Sequence, residues 1–316
     1  MVRSFLRDTD LTPAEAAEVF ALAHRYKKIR SAGLLDVLRG QSWGLVFFKK
    51  STRTRLSFEA GIYELGGHPM VLQADDLQIS RGETIEDTAK IFGRFLHGVV
   101  IRTFEQEMVD LFAKYSGLPV VNALTDLLHP CQSYTDMFTM IEHFGKGSED
   151  PESIRGKKFV FFGDTACNMA YSLALAGSMF GVKVVLCGPE EFRPTAELDA
   201  LFAAAKLQKN YEFVSDPKAA AENADVFYTD VWVSMGKEDE KAERIKTMSP
   251  YQVNEKLLAL GSKDSIFMHC LPAHAGEEVS EGVLRSDKSI VFDQAENRLH
   301  VQKAIVSWLV NKNRQQ

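Results

Sequence analysis

The feature that most constrains this chain is a rhythm. Short, almost wholly apolar runs alternate with longer stretches of helical spacing. The runs are Trp43–Phe48, Met70–Leu72, Gly98–Ile101, Pro119–Asn122, Lys158–Phe162, Val182–Leu186, Asp225–Thr229, Ser265–His269 and Ser289–Phe292. Between them lie helical patterns over 56–65, 83–95, 106–115, 134–144, 168–180 and 195–205, with a closing helix expected over 296–310. Runs of this length without polar alternation read as strands buried on both faces. A helix between successive runs through the first half makes the sheet parallel. The rhythm breaks once, at the Gly/Ser/Pro-rich stretch Gly145–Gly156, and then restarts. The expectation is therefore α/β, with two Rossmann-like domains covering 1–148 and 149–296, each a parallel sheet flanked by helices. Thr12-Pro13 opens a first helix, with Thr12 as cap and Pro13 in the first turn. The polar stretch 73–82 reads as an exposed loop.

Ligands of such folds bind at the carboxyl ends of strands, so the expected active site is a cleft between two sets of strand ends. There the sequence is concentrated. After Phe47-Phe48 comes Lys49-Lys50-Ser51-Thr52-Arg53-Thr54-Arg55, with Ser51 or Thr52 placed to cap the following helix. Hydroxyls, guanidinia and free backbone N–H groups at a helix N-terminus suit a multiply charged oxyanion, most plausibly phosphate. The third run ends in Arg102, and the fourth leads to His129-Pro130-Cys131-Gln132. In the second half Gly163-Asp164-Thr165-Ala166-Cys167-Asn168 links a strand to a helix without the Gly-x-Gly-x-x-Gly fingerprint, so a dinucleotide cofactor is poorly supported. Asp230 ends a strand ahead of Ser234-Met235-Gly236, and His269-Cys270-Leu271-Pro272 ends another.

Ser51-Thr52-Arg53-Thr54-Arg55 resembles the carbamoyl-phosphate motif of the aspartate/ornithine carbamoyltransferase family, and the other motifs extend the resemblance over nearly the whole chain. It implies that residues 1–148, with a closing helix 297–316 packed back on them, bind carbamoyl phosphate, and that 149–296 bind the amino acid. Ser51, Thr52, Arg53, Thr54, Arg102, His129, Gln132 and Arg298 match carbamoyl-phosphate contacts. Gln78 matches a residue supplied across a subunit interface. Asn168, Asp230, Ser234, Met235, Cys270 and Leu271 match the ornithine-binding set, with Arg102, His129 and Cys270 nearest the chemistry. His269-Cys270-Leu271-Pro272 and Ser234-Met235-Gly236 are of the ornithine type. The implied reaction moves a carbamoyl group from carbamoyl phosphate to the side-chain amine of ornithine, giving citrulline and phosphate, without metal or organic cofactor, in a homo-oligomer that is a trimer or a multiple of one. The chain departs from the family at Cys167, where an asparagine is usual, at Phe48, and at Ala275. Alternatives are a different amine acceptor, such as putrescine or an acylated ornithine, a nucleotide-binding oxidoreductase, and a non-catalytic relative.

Composition narrows the partners. A net charge of -6 over 316 residues argues against nucleic acid or an anionic membrane as a general partner. No apolar run nears the ~20 residues needed to span a bilayer. Cys131, Cys167, Cys187 and Cys270 include no Cys-x-x-Cys pair, so reduced thiols in the cytoplasm are expected.

Overall fold

A computed structural model describes residues 2–232 and 241–315. The chain divides into two compact units, residues 1–138 with 296–316, and residues 139–295. The division falls inside two helices, Pro130–Phe144 and Val291–Arg314.

The first unit opens with the helix Pro13–Lys28, which carries a full capping box: Thr12 and Glu15 each satisfy the other's backbone N–H. Its sheet contains β1 (Ser42–Phe47), β2 (His68–Gln73), β3 (Gly98–Arg102) and β4 (Val120–Leu124) in the order β2-β1-β3-β4, with every pairing parallel. β3 is buried along its whole length, as expected of a strand covered on both faces. One face packs Val46, Val99, Ile101 and Val120 against Ala89, Val109 and Phe112 of the flanking helices. Gly98 is dictated by the Trp43 ring, which a Cβ there would meet at 2.5 Å.

The second unit repeats the plan with β5 (Lys158–Phe162), β6 (Lys183–Cys187), β7 (Tyr211–Val214), β8 (Val226–Thr229) and β9 (Ile266–His269), ordered β7-β6-β5-β8-β9 and again parallel. Its core sets Val160, Phe162, Phe227 and Phe267 against Tyr251, Leu257 and Val283.

Both sheets are doubly wound, and each has one place where the strand order reverses direction. It lies between β1 and β3 in the first unit and between β5 and β8 in the second. There the carboxyl ends of adjacent strands diverge into different loops, which is where open α/β sheets bind ligands.

Two sequence expectations need correcting. Ser289–Phe292 is not a strand: Ser289 makes only an isolated bridge to Phe267, and Val291 already begins the closing helix, which runs to Arg314. A four-residue apolar run does not separate a strand from the start of a buried helix by periodicity. The polar stretch 73–82 is not irregular throughout but contains two short 3-10 turns, Ala74–Asp76 and Gln78–Arg81. The edge strand β7 was not legible, because Tyr-Glu-Phe-Val is only partly buried and has no unbroken apolar run.

Candidate functional site

In the first unit, Ser51 caps the helix Thr52–Glu64, its hydroxyl accepting from Thr54 N–H at 3.3 Å. That turn follows β1 directly, so the helix N-terminus opens at the switch point of the sheet. Phe47 of β1 lies in register with Arg102 of β3, and Phe48 N–H donates to the Arg102 carbonyl at 2.8 Å. This adjacency brings the Arg102 side chain to the capped turn. Its Nη1 donates to Thr54 Oγ1 at 3.4 Å. A second guanidinium reaches the same hydroxyl from the closing helix: Arg298 Nη2 lies 3.3 Å from Thr54 Oγ1, while Nη1 donates to Gln132 Oε1 at 2.5 Å. All four side chains are buried, with Arg102 and Arg298 only 8% and 6% exposed. Two cations converging on one neutral oxygen in a low-dielectric setting repel one another. They are stabilised when an anion takes the space between them.

His129 is buried beside them at the head of the helix Pro130–Phe144. Burial, and then the Arg298 and Arg102 charges, hold its pKa well below the usual histidine range, so at neutral pH it is an uncharged imidazole able to donate one hydrogen bond. The remaining cations of the motif differ in what they face. Lys49 ion-pairs with Asp126 and lies over the Phe104 ring, and Arg55 pairs with Glu59 at 3.2 Å. Arg53, half-buried, pairs with no carboxylate among the described residues. Thr52 is exposed at the first helical position. Gln78 is exposed in its 3-10 turn and hydrogen-bonds none of the cluster through its side chain.

In the second unit, Thr229 Oγ1 donates to the Phe162 carbonyl at 2.8 Å, tying the ends of β8 and β5 together. Gly163 then turns at φ +121°, a conformation that favours glycine, and any Cβ there would also meet Trp232 at 3.3 Å. The turn leads to Cys167 as N-cap of the helix Asn168–Met179. Burial, then the Asp164 and Asp230 charges, push the Cys167 thiol well up, so it is a neutral thiol. Asp230, one residue beyond β8, accepts from Val231 N–H at 2.7 Å and from Cys270 Sγ at 3.0 Å. Cys270 and Leu271 sit on a constrained loop. Leu271 has a left-handed φ of +57°, and its N–H donates to His269 Nδ1 at 2.8 Å. His269 Nδ1 is therefore the acceptor, so Nε2 carries the proton and faces Glu278 Oε1 at 3.2 Å. Ser234 and Met235 lie outside the described residues.

Sequence reasoning missed several groups. Asp136, one turn after Gln132, accepts from its Nε2 at 2.8 Å. Gln302, one turn after Arg298, accepts from Arg298 Nε at 3.0 Å and Nη2 at 2.9 Å and donates to Ser57 at 2.6 Å once its amide is turned to suit both. Both follow the i, i+4 spacing of a helix face, a signal present in the sequence. In the second unit, Arg244 joins the turn to the segment after β8 by pairing with Asp164 at 2.5 Å and donating to the Trp232 carbonyl at 2.8 Å. Asp230, His269 and Cys270 each bring one potential metal-ligand atom within 4.8 Å of the others, as do His274, Glu277 and Glu278. In the first set both His269 ring nitrogens are already engaged and the Cys270 thiol donates to Asp230. That arrangement suits a hydrogen-bonded array more than a metal.

Two doubly wound domains, one with a buried guanidinium cluster at its switch point and the other with a carboxylate–thiol pair at its own, suit an enzyme that handles an oxyanion and an amine. Residues 3–142 match the carbamoyl-P binding domain of the aspartate/ornithine carbamoyltransferases, and residues 155–309 match their Asp/Orn binding domain. The chain belongs to the aspartate/ornithine carbamoyltransferase family. It is 46% identical over 313 residues to the ornithine carbamoyltransferase of Oceanobacillus iheyensis, covering 98% of this chain and 94% of that protein. It is 44% identical over 311 residues to that of Thermococcus kodakarensis, covering 98% and 95%. Among solved structures, the ornithine carbamoyltransferase from Pyrococcus furiosus superposes with a TM-score of 0.89 at 41% identity, covering 98% of this chain and 97% of that one. The anabolic enzyme from Campylobacter jejuni superposes with 0.88 at 34% identity, covering 98% and 99%.

Proposed function

We propose that this chain is an ornithine carbamoyltransferase. It transfers the carbamoyl group of carbamoyl phosphate to the side-chain amine of L-ornithine, releasing L-citrulline and phosphate. The observation that carries the reading is the convergence of Arg102 and Arg298 on Thr54, with Gln132 and neutral His129 beside them, at a capped helix N-terminus. Ser51, Thr52, Arg53 and Thr54 hold the phosphate through side chains and the free N–H groups of the helix start. Arg102 and His129 donate to the carbamoyl oxygen, whose negative charge grows as the amine attacks, and so stabilise the transition state more than the ground state. Gln132 accepts from the carbamoyl NH2, and Arg298 neutralises phosphate charge. The ornithine amine, with a solution pKa like that of lysine at about 10.4, reacts only after losing a proton. Asp230, with Cys270 bonded to it, favours and aligns that amine. Asn168, Ser234, Met235 and the Leu271 backbone hold the rest of the amino acid. The C–N bond forms as the C–O bond to phosphate breaks, and the departing phosphate takes the second amine proton.

The homotrimer expected of the family is part of this proposal. Leu56, Tyr63, Ile91 and Phe95 of the first unit are large apolar side chains left exposed, 62%, 59%, 43% and 74% respectively, and a subunit interface would cover them. It would also give Gln78 a place in a neighbouring site. Among the described residues no helix is long and apolar enough to cross a membrane. The four cysteines are unpaired, which fits a cytoplasmic enzyme of arginine metabolism.

Cys167 in place of asparagine favours a second reading, in which the acceptor is another amine such as putrescine or an N-acylated ornithine. A colorimetric ureido assay with carbamoyl phosphate and each amine separates the two. Product from L-ornithine with the highest kcat/KM is expected. Product from putrescine or N-acetylornithine alone would move the assignment to that acceptor, and no product from any amine would sink it.

A further inference from the structure

Gln132 and Asp136 stand one turn apart on the helix Pro130–Phe144, and both are fully buried, at 1% and 0% exposure. Gln132 Nε2 donates to Asp136 Oδ1 at 2.8 Å, and Gln132 Oε1 accepts from Arg298 Nη1 at 2.5 Å. Turning the amide over would set its NH2 against the guanidinium, which has no acceptor, and its oxygen against the carboxylate. Both contacts would become repulsive. The two charged neighbours therefore lock the polarity of a group that is otherwise nearly symmetric in shape. On the helix side, Asp136 supplies that lock. On the pocket side, Arg298 uses one lone pair of Oε1 and leaves the second for a ligand.

From this geometry we infer that Asp136 is a positioning residue that sets the choice of acyl group. It does so by holding Gln132 with its oxygen toward the pocket. The inference rests on the proposed use of carbamoyl phosphate. A carbamoyl group presents NH2, a donor, to that oxygen. An acetyl group of nearly the same size presents a methyl group and leaves the oxygen unsatisfied in a buried site, which costs binding. Without Asp136 the amide turns with little penalty once a ligand shields Arg298, and the distinction between NH2 and CH3 weakens.

The test uses the full chain and two stable probes, phosphonoacetamide and acetonylphosphonate, which differ only in NH2 against CH3. Their affinities are measured by calorimetry or ligand-dependent melting for the wild type and for Asp136→Asn, whose amide can donate to Gln132 in the reversed sense. The wild type is expected to prefer phosphonoacetamide. In Asp136→Asn that preference should shrink about tenfold, the worth of one net hydrogen bond, with acetonylphosphonate affinity unchanged and KM for carbamoyl phosphate raised. A merely structural role would weaken both probes together, and that result, or an unchanged ratio, overturns the inference. If Asp136→Asn does not fold, Asp136→Ser, which makes no demand on space, carries the same expectation. A wild type that makes citrulline yet binds both probes equally also overturns it. A wild type that neither makes citrulline nor binds phosphonoacetamide fails the underlying reading instead.

Discussion

The two switch-point sites are built to opposite standards of finish. In the first unit, side chains from β3, the capped turn, the helix Pro130–Phe144 and the closing helix meet in a buried network, and Thr54, Arg102, Gln132 and Arg298 already touch. In the second, Asp164, Cys167, Asn168, Asp230, Cys270 and Leu271 are all only partly buried; Asp230 accepts from Cys270, Arg244 pairs with Asp164, and Leu271 N–H donates to His269. The difference follows the ligands proposed for them. A small dianion with a reactive bond gains most from donors fixed in advance, because they need no reorganisation as charge develops. A longer zwitterionic amino acid needs an entrance and can be held by more exposed contacts.

The comparison can be broken hardest at Arg102. Arg102→Ala removes a donor from the buried network and is expected to lower kcat by about 10²–10³-fold, the usual cost of one oxyanion-stabilising donor. Ornithine affinity, measured by calorimetry, should not change. A loss below tenfold would mean that Arg102 is a structural cation.

Asp230→Asn probes the other side. It keeps the shape and the acceptor for Cys270 but removes the charge that favours an ammonium group. KM for ornithine should rise about tenfold or somewhat more, in the range of a charge-assisted hydrogen bond. Protection of the folded protein against heat by carbamoyl phosphate should stay as in the wild type. Equal damage to both substrates would show that the two sites are not separable.

The last test concerns acid. His129 and His300 of the first unit both have depressed pKa values, chiefly through burial, His300 down to about 4. Each group takes up its proton more readily in the unfolded chain, whose histidine pKa is about 6.5. Their contribution to stability is thus complete above that value. It is lost as pH falls, for His300 down to about 4. Unfolding free energies from urea titrations between pH 7.5 and 5 should fall with decreasing pH, by up to about 1.4 kcal/mol per pH unit for each of the buried His129 and His300. His300→Asn should flatten part of that slope. A slope that does not change would place the acid sensitivity elsewhere.

Much of this was legible from residues alone, and the reasons are local. Thr12 and Pro13 announce a helix start because capping needs only neighbours in sequence. β3 and β5 announce themselves because a doubly covered parallel strand must be apolar throughout. β7 did not, because an edge strand need not be apolar. Ser289–Phe292 misled because a buried helix start and a buried strand share one composition. At the site, the motif 51–55 shows an anion-binding turn, yet it does not show which of its cations are spoken for. Lys49 and Arg55 are committed to Asp126 and Glu59, while Arg53 has no carboxylate partner among the described residues. Asp136 and Gln302 carried a helical-spacing signal, but spacing alone does not tell a hydrogen-bonded pair from two neighbours on one face.

By itself the sequence determined the parallel α/β architecture and the residue types offered at each strand end, since alternation, capping and burial are properties of short stretches. Tertiary structure decided which of those offers meet. Arg102 reaches Thr54 because β3 lies beside β1, and Arg298 reaches it from 244 residues further along the chain. Asp136 and Arg298 together settle which end of Gln132 faces the pocket. Strand order and long-range contact are not encoded at any single position, because they come from packing whole elements so that every buried charge and amide finds a partner of the right polarity.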